Sequence, residues 1–247
     1  MEFTTIAMAK KLTGFTYLGS VSKTVKHKKS ILYGEMTYSL YLSPARTSGY
    51  EVCPGRTKEC TLLCLNESGM NTMNLKGEMI NNSRIGKTKL FMENKPFFMR
   101  WMIEEIMNAR LKAKNLGYKF SVRLNNTSDI SPEDFIYGNK NILQIFPNTQ
   151  FYDYTKVKER IGLMTKYRNY DLTYSYTGYN INECKRMLKN NIKVAVVFNK
   201  VPPVFLGHQV IDGDKNDLRY RDLKGVVIGL KFKRVRNKIQ TNSRFVV

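Results

Sequence analysis

Acidic residues are missing from two long stretches of this 247-residue chain. None occurs from Phe3 to Gly34, where Lys10, Lys11, Lys23, Lys26, Lys28 and Lys29 stand, and none from Leu223 to Val247, against Lys224, Lys231, Lys233, Arg234, Arg236, Lys238 and Arg244. Nor is there an apolar run near the roughly 18–20 residues that a membrane span needs. The opening "MEFTTIAMAKKLTGF" has no long apolar core of the kind a signal peptide carries. Those two absences predict a cytoplasmic protein without a membrane partner. Histidine is confined to His27 and His208, and cysteine to four positions. In a reducing cytosol clustered cysteines favour metal ligands or catalytic thiols over disulfides.

What is present is positive charge, +21 in net terms. Its concentration at both ends predicts a polyanionic partner, nucleic acid foremost, set against the plainer reading of a generally Lys-rich surface. The 42% hydrophobic and 12% aromatic shares are those of a folded chain long enough for a sizeable core. Charge and length set no oligomeric state.

The order of patterns predicts an α/β fold with a mostly parallel sheet, a partial or complete (β/α) barrel. Residues 1–30 read as a basic arm or hairpin, and residues 31–247 as one domain with a cysteine loop at 49–69. Strands are expected at Ile31–Pro44, Tyr118–Asn125, Gln150–Thr155, Tyr170–Tyr176, Lys193–Asn199 and Gly225–Lys233. Helical connections alternate with most of them, which favours parallel pairing. The clearest helix carries Phe98, Met102, Ile106, Ala109, Ala113 and Leu116 three or four apart, with Asn94 as N-cap and Gly117 as the stop.

In parallel sheets function gathers at the C-terminal strand ends. Those ends hold the cysteine loop, then Asn125 to Asp129, Asp153 to Lys156, Ser175 and Asn180, Asn199, and the "DGDKNDLRYRD" segment with Asp212, Asp214 and Asp217. The five carboxylates Asp129, Asp153, Asp212, Asp214 and Asp217 are candidates for catalysis, including that of a metal-dependent nuclease. Asn125, Ser128 and Ser175 are candidates to hold a cofactor.

Cys53, Cys60 and Cys64 form a Cys-x6-Cys-x3-Cys pattern. Thiolates suit zinc or an iron–sulfur cluster. Zinc sites usually pair a short knuckle with a closed set of four ligands. Three thiols after an early strand better suit a four-iron cluster with one iron open. Zinc and unliganded thiols stay as alternatives. Cys184 sits in an expected helix as a core residue or a fourth ligand, and His208 is a weak candidate ligand or base. His27 reads as solvated. "DGDKNDL" lacks the Gly and Glu of a calcium loop. "IGKT" lacks the first glycine of a phosphate loop.

The segments "YSLYLSPARTSGYEVCPGRTKECTLLCLNESG", "RIGKTKLF", "VRLNNTSDI", "FPNTQFYDYTKV", "LTYSYTGYN", "VIDGDKNDLRYRDLKGVVIGLKFK" and "FVV" occur in order. In that order the chain resembles the bacteriophage gene product 88 family, from about Gly14 to the C-terminus. The resemblance implies a protein at work in the cytoplasm of an infected or plasmid-bearing bacterial host, but little chemistry. More distantly the layout is similar to radical S-adenosylmethionine enzymes, whose three-cysteine loop follows the first strand of a partial barrel. That likeness implies a four-iron cluster on Cys53, Cys60 and Cys64 and S-adenosylmethionine as a cofactor. The usual spacing there is x3 and x2, so the likeness carries layout and cluster rather than the radical reaction. The combined expectation is a cluster protein that acts on or docks to nucleic acid. Its alternatives are a DNA- or RNA-binding replication or host-takeover factor with zinc or free thiols, and the nuclease.

Overall fold

A computed structural model describes residues 2–21, 25–64, 74–233 and 243–247. The chain runs α1 (Ile6–Thr13), β1 (Gly19–Val21), α2 (Val25–Leu32), β2 (Glu35–Leu40), α3 (Lys58–Leu62), α4 (Asn74–Glu93), α5 (Lys95–Asn115) and β3 (Lys119–Arg123). Next come a small hairpin, β4 (Ile136–Tyr137) with β5 (Lys140–Asn141), then α6 (Ile142–Ile145), β6 (Gln150–Thr155), α7 (Leu163–Lys166), β7 (Tyr170–Ser175) and α8 (Ile181–Lys189). The last elements are β8 (Val194–Phe198), β9 (Val204–Phe205), β10 (His208–Asp212) and β11 (Val227–Lys231). Lys23, Arg234, Arg236 and Lys238, the side chains of Lys26 and His27, and the cysteine loop beyond Cys64 lie outside the described residues.

One nine-stranded sheet has the order β1-β2-β3-β6-β7-β8-β11-β10-β9. Its seven central strands pair in parallel, from β2 to β10. The antiparallel strands β1 and β9 form its two edges. The expected mostly parallel α/β architecture is present. The described sheet is open, so it makes no complete barrel. The chain passes over one position after β8, builds β10 on the outside, and returns to insert β11 between them.

Strand register sorts side chains onto two faces, because successive residues alternate. On one face Tyr38, Leu40, Val122, Leu124, Phe151 and Leu172 meet Trp101, Met102 and Ile106 of α5. Further along the same face Val194, Val196, Phe198 and Val227 meet Cys184, Met187 and Leu188 of α8. Asn94 separates α4 from α5, and its side chain accepts the Phe97 N–H. The predicted apolar stripe of α5 is buried apart from Leu116, which is 56% exposed at the cap.

Over β2, β3, β6 and β7 the opposite face is polar and mostly buried, and over β8 and β11 it carries Ala195 and Ile228. The polar part carries Glu35, Thr37, Ser39, Ser121, Arg123, Tyr152 and Thr173. The segment between β10 and β11 lies across it. Asp217 pairs with Arg123, the Arg219 carbonyl accepts from Lys193 (2.6 Å), Tyr220 packs on Tyr152, and Arg221 pairs with Glu35. Ion pairs here satisfy charges that the dry environment would otherwise penalise.

The described part of the N-terminal stretch holds α1, β1 and the start of α2. Phe3, Ala9 and Leu18 belong to the main core. The expected strand from Ile31 starts only at Glu35, because α2 runs to Leu32 and Gly34 then turns with φ +71°. Among the described residues no helix is long and apolar enough to cross a membrane.

Candidate functional site

The C-terminal ends of the parallel strands share one edge, and a cavity of ≈ 440 Å³ opens there. Its walls come from the loop after β2, the loop after β3, the ends of β6, β7, β8 and β11, and the segment after β10. Cys53, Cys60 and Cys64 all line it, and all three also line an adjoining cavity of ≈ 250 Å³.

Local chemistry builds the thiol loop. Ala45 adopts the left-handed region, φ +52°, a conformation costly for a residue with a Cβ. That turn lets its N–H donate to Cys53 Sγ (3.4 Å) while its carbonyl accepts from Val52 N–H (3.1 Å). Glu51 accepts the Cys53 N–H at 2.9 Å and pairs with Arg56 at 2.9 Å. Thr57 caps α3 by accepting the Cys60 N–H (3.1 Å). Burial pushes the Cys53 thiol up to about 12, although the Ala45 N–H and the charge of Lys156 pull the other way.

The neighbouring loop, Asn125 to Ile130, is anchored from below. Asp153 accepts the Asn125 N–H (2.8 Å) and side-chain N–H (3.1 Å), and the Tyr170 hydroxyl (3.2 Å). The Asn125 side-chain Oδ1 accepts from Ser128 Oγ and from Ile130 N–H, each at 2.8 Å. Burial pushes Asp153 up to about 7 against these bonds and the Arg123 charge. The loop then meets the thiol loop, with Asp129 N–H donating to the Val52 carbonyl at 2.7 Å.

The candidate carboxylates do different things. Asp129, Asp214 and Asp217 line the cavity, whereas Asp153 and Asp212 do not. Asp129 pairs with Arg160 (2.6 Å) and accepts Lys156 N–H (2.9 Å). Asp217 pairs with Arg123. Asp214 accepts Lys231 N–H (2.9 Å), and exposed Asp212 accepts Asp214 N–H (2.8 Å). Each has a partner within the chain, so the five do not converge. Asn125, Ser128 and Ser175 all line the cavity. Cys184 is buried on the helix-covered face, and His208 Nδ1 sits 2.9 Å from the Gly225 carbonyl; neither lines the cavity. Among the described residues no three His, Cys, Asp or Glu side chains form a group able to hold a metal as they stand.

Sequence reasoning missed most of the cations and aromatics. Arg56, Arg84, Arg123, Lys156, Lys231 and Lys233 line the cavity, as do Tyr41, Tyr154, Tyr176, Phe232 and Phe245. Lys156 stood in the strand-end set; Arg84 comes from α4, where no pattern marked it. Arg84 lies over the Tyr41 ring at 5.3 Å, and burial pushes its pKa down. Burial also works against the charge of Lys156, yet its pKa is raised, by Cys60, Asp129, Cys53 and Cys64. Lys156 and all three thiols line the same cavity.

A family model described as "Gene product 88" matches residues 8–247. No curated protein matches, and no solved structure does.

Proposed function

The chain belongs to the gene product 88 family, and we propose that it is a metalloprotein whose Cys53, Cys60 and Cys64 hold an iron–sulfur cluster beside a small-molecule cavity. The observation that carries this is that three thiols, spaced x6 and x3, line one cavity at the C-terminal edge of a parallel sheet.

The donor set suits the group. Three thiolates leave one iron of a four-iron cluster open, and the larger cavity provides space beside it. The Ala45 N–H already aimed at Cys53 Sγ is the kind of bond that tunes such clusters. Ligand loops commonly close only when metal binds, since binding supplies folding energy. A closure of Cys60 and Cys64 on Cys53 follows from this reading. In the larger cavity Asn125, Ser128 and Ser175 stand where a cofactor such as S-adenosylmethionine would meet polar groups. Zinc on the same thiols is the alternative. Anaerobic reconstitution with iron and sulfide separates the two. The expected product is brown, with a broad visible band lost in the Cys53→Ala/Cys60→Ala/Cys64→Ala variant. A colourless protein with stoichiometric zinc sinks the cluster.

The partner belongs to the same proposal. Exposed Lys231 and Lys233 line the cavity, with exposed Arg244 beside Phe245. Cations at that mouth favour a nucleic acid whose backbone they contact. Binding to arbitrary single- and double-stranded DNA or RNA is expected to weaken at least tenfold between about 50 and 200 mM salt. Affinity that does not change over this range removes nucleic acid from the account.

A further inference from the structure

The cavity at the strand ends has two unlike ends, and the register of the sheet sets them. Alternation turns Arg123 of β3, Tyr154 of β6, Ser175 of β7, Ala195 and Val197 of β8, and Leu230 of β11 onto one face, and all of them line the cavity. Charged and polar groups therefore stand on the β3 and β6 side, aliphatic ones on the β8 and β11 side. Two aromatic rings extend the apolar end. Phe232 follows β11, and the bridge of Val246 to Val197 brings Phe245 there.

Cations are in excess. Among the described residues six cations and three carboxylates line the cavity. Each of the carboxylates already meets a cation: Asp129 pairs with Arg160 at 2.6 Å, Asp217 with Arg123, and Asp214 Oδ1 lies 4.0 Å from Lys233 Nζ. Arg56 is matched from outside the lining by Glu51 at 2.9 Å. Arg84 and Lys156 enter the wall from α4 and from the end of β6. Both are rooted, Arg84 over the Tyr41 ring at 5.3 Å and Lys156 through its N–H to Asp129 Oδ2 at 2.9 Å. Burial opposes the charge of both, so an anion beside them recovers part of what desolvation costs.

A ligand matched to this shape has a compact anion at one end and a flat, largely apolar body at the other. The volume of ≈ 440 Å³ falls in the range of about 300–1,000 Å³ usual for small-ligand sites. A carboxylate would set one charge against the cation excess, whereas a phosphate monoester carries about two near neutral pH. Guanidinium and ammonium groups are the side chains that recognise phosphate, and nucleobases lie on aromatic rings through their faces. We propose that the cavity takes one nucleoside phosphate, its phosphate held by Arg84 and Lys156 and its base laid against the apolar end at β8 and β11. A free mononucleotide and the terminal nucleotide of a strand share that chemistry. The assignment deepens the reading of the cavity as a small-molecule site and rests on it; it requires no metal on the thiols.

Isothermal titration calorimetry on the full chain tests it, with adenosine, guanosine, cytidine and uridine 5′-monophosphates, the four nucleosides and ribose 5-phosphate. At least one nucleotide is expected to bind at least about tenfold more tightly than its nucleoside and than ribose 5-phosphate, since each of those lacks one half of the match. Arg84→Met and Lys156→Met are each expected to weaken that nucleotide by about tenfold or more while leaving its nucleoside within a few-fold, a split that a merely structural role would not produce. A nucleoside that binds as tightly as its nucleotide overturns the assignment, as does a wild type that binds none of the four nucleotides or that prefers S-adenosylmethionine to all of them. Where the variants fail to fold, the comparison on the wild type decides alone. Displacement of the bound nucleotide by a 5′-phosphorylated oligonucleotide supports the site with a strand end as its source, and no displacement supports it with the free nucleotide. Iron uptake is read separately. A chain that takes up iron and binds no nucleotide loses this assignment and keeps the cluster; one that binds nucleotide and takes up no iron does the reverse.

Discussion

Asp217→Ala is expected to lower the stability of the folded chain by about 3–5 kcal/mol, the cost of breaking a buried ion pair from one side. Asp217 is 1% exposed and reaches across the polar sheet face from the segment between β10 and β11. Its partner Arg123 lies on β3 with its guanidinium 4.8 Å from the centre of the Tyr154 ring. Burial opposes the charge of Arg123, and the Asp217 carboxylate overrides that opposition and holds it protonated. Without Asp217 a guanidinium is left in a dry site. The loss falls on function too, since Arg123, Tyr154 and Asp217 together form part of the cavity wall. Urea unfolding followed by circular dichroism measures it. Arg123→Met/Asp217→Leu should recover most of the stability, because replacing both charges removes the unpaired one. A loss below about 1 kcal/mol in Asp217→Ala would mean that the crossing segment is not held to the sheet by this pair.

Gly55→Val is expected to abolish iron uptake while leaving the fold in place. The Cβ of any residue at 55 would lie 2.8 Å from Lys156 Cβ, 2.9 Å from its carbonyl carbon and 3.1 Å from its oxygen. Two of those atoms are backbone at the end of a central strand, so the thiol loop must move instead. Displacing the loop carries Cys53 and Cys60 with it. Metal–ligand distances tolerate only about 0.2 Å, so a loop shift of larger size is incompatible with the full ligand set. The expected iron content is less than about a tenth of wild type, with unfolding changed by no more than about 1 kcal/mol, because Gly55 itself lies outside the core that Val52 of the same loop joins. Gly55→Ala should be intermediate. Wild-type iron content in Gly55→Val would show that the loop takes its metal-holding form away from Lys156.

The parallel sheet was legible because strand and helix patterns alternate from Tyr118 onward and loop composition separates them. The α5 core stripe was legible for the same periodic reason, down to Asn94 as its cap. The order of the last strands was not. β10 and β11 are parallel neighbours placed in reverse order, and nothing local in "HQVID" or "VIGLK" records the choice. Residues up to 30 read as an arm and Ile31 as the start of a strand because lysines fill the stretch before it; the helix α2 instead runs across that boundary to Leu32. The strand β2 hid its two faces, since Glu35, Thr37 and Ser39 are buried on one side as fully as Met36, Tyr38 and Leu40 on the other.

The site was legible as a rim and less so as an arrangement. Reading strand ends found Cys53, Asn125, Ser128, Asp129, Lys156 and Ser175, all of which line the cavity. It also drew in Asp153, which lies at a strand end but shares the face of Phe151 and Thr155, turned toward the helices. Only the register against β3 and β7 assigns that face. Arg84 and Phe245 reach the cavity from distant elements, α4 and the C-terminal segment that bridges Val246 to Val197. No spacing in the sequence joins them to the cysteines.

Iron and acid-labile sulfide per chain, measured after anaerobic reconstitution together with the visible spectrum, test the central claim most directly. The account predicts about four irons and four sulfides per chain in the wild type, the complement of a four-iron cluster, and none in Cys53→Ala/Cys60→Ala/Cys64→Ala at unchanged circular dichroism. A wild-type chain that remains colourless and iron-free, or a triple variant that binds as much iron as the wild type, would contradict it.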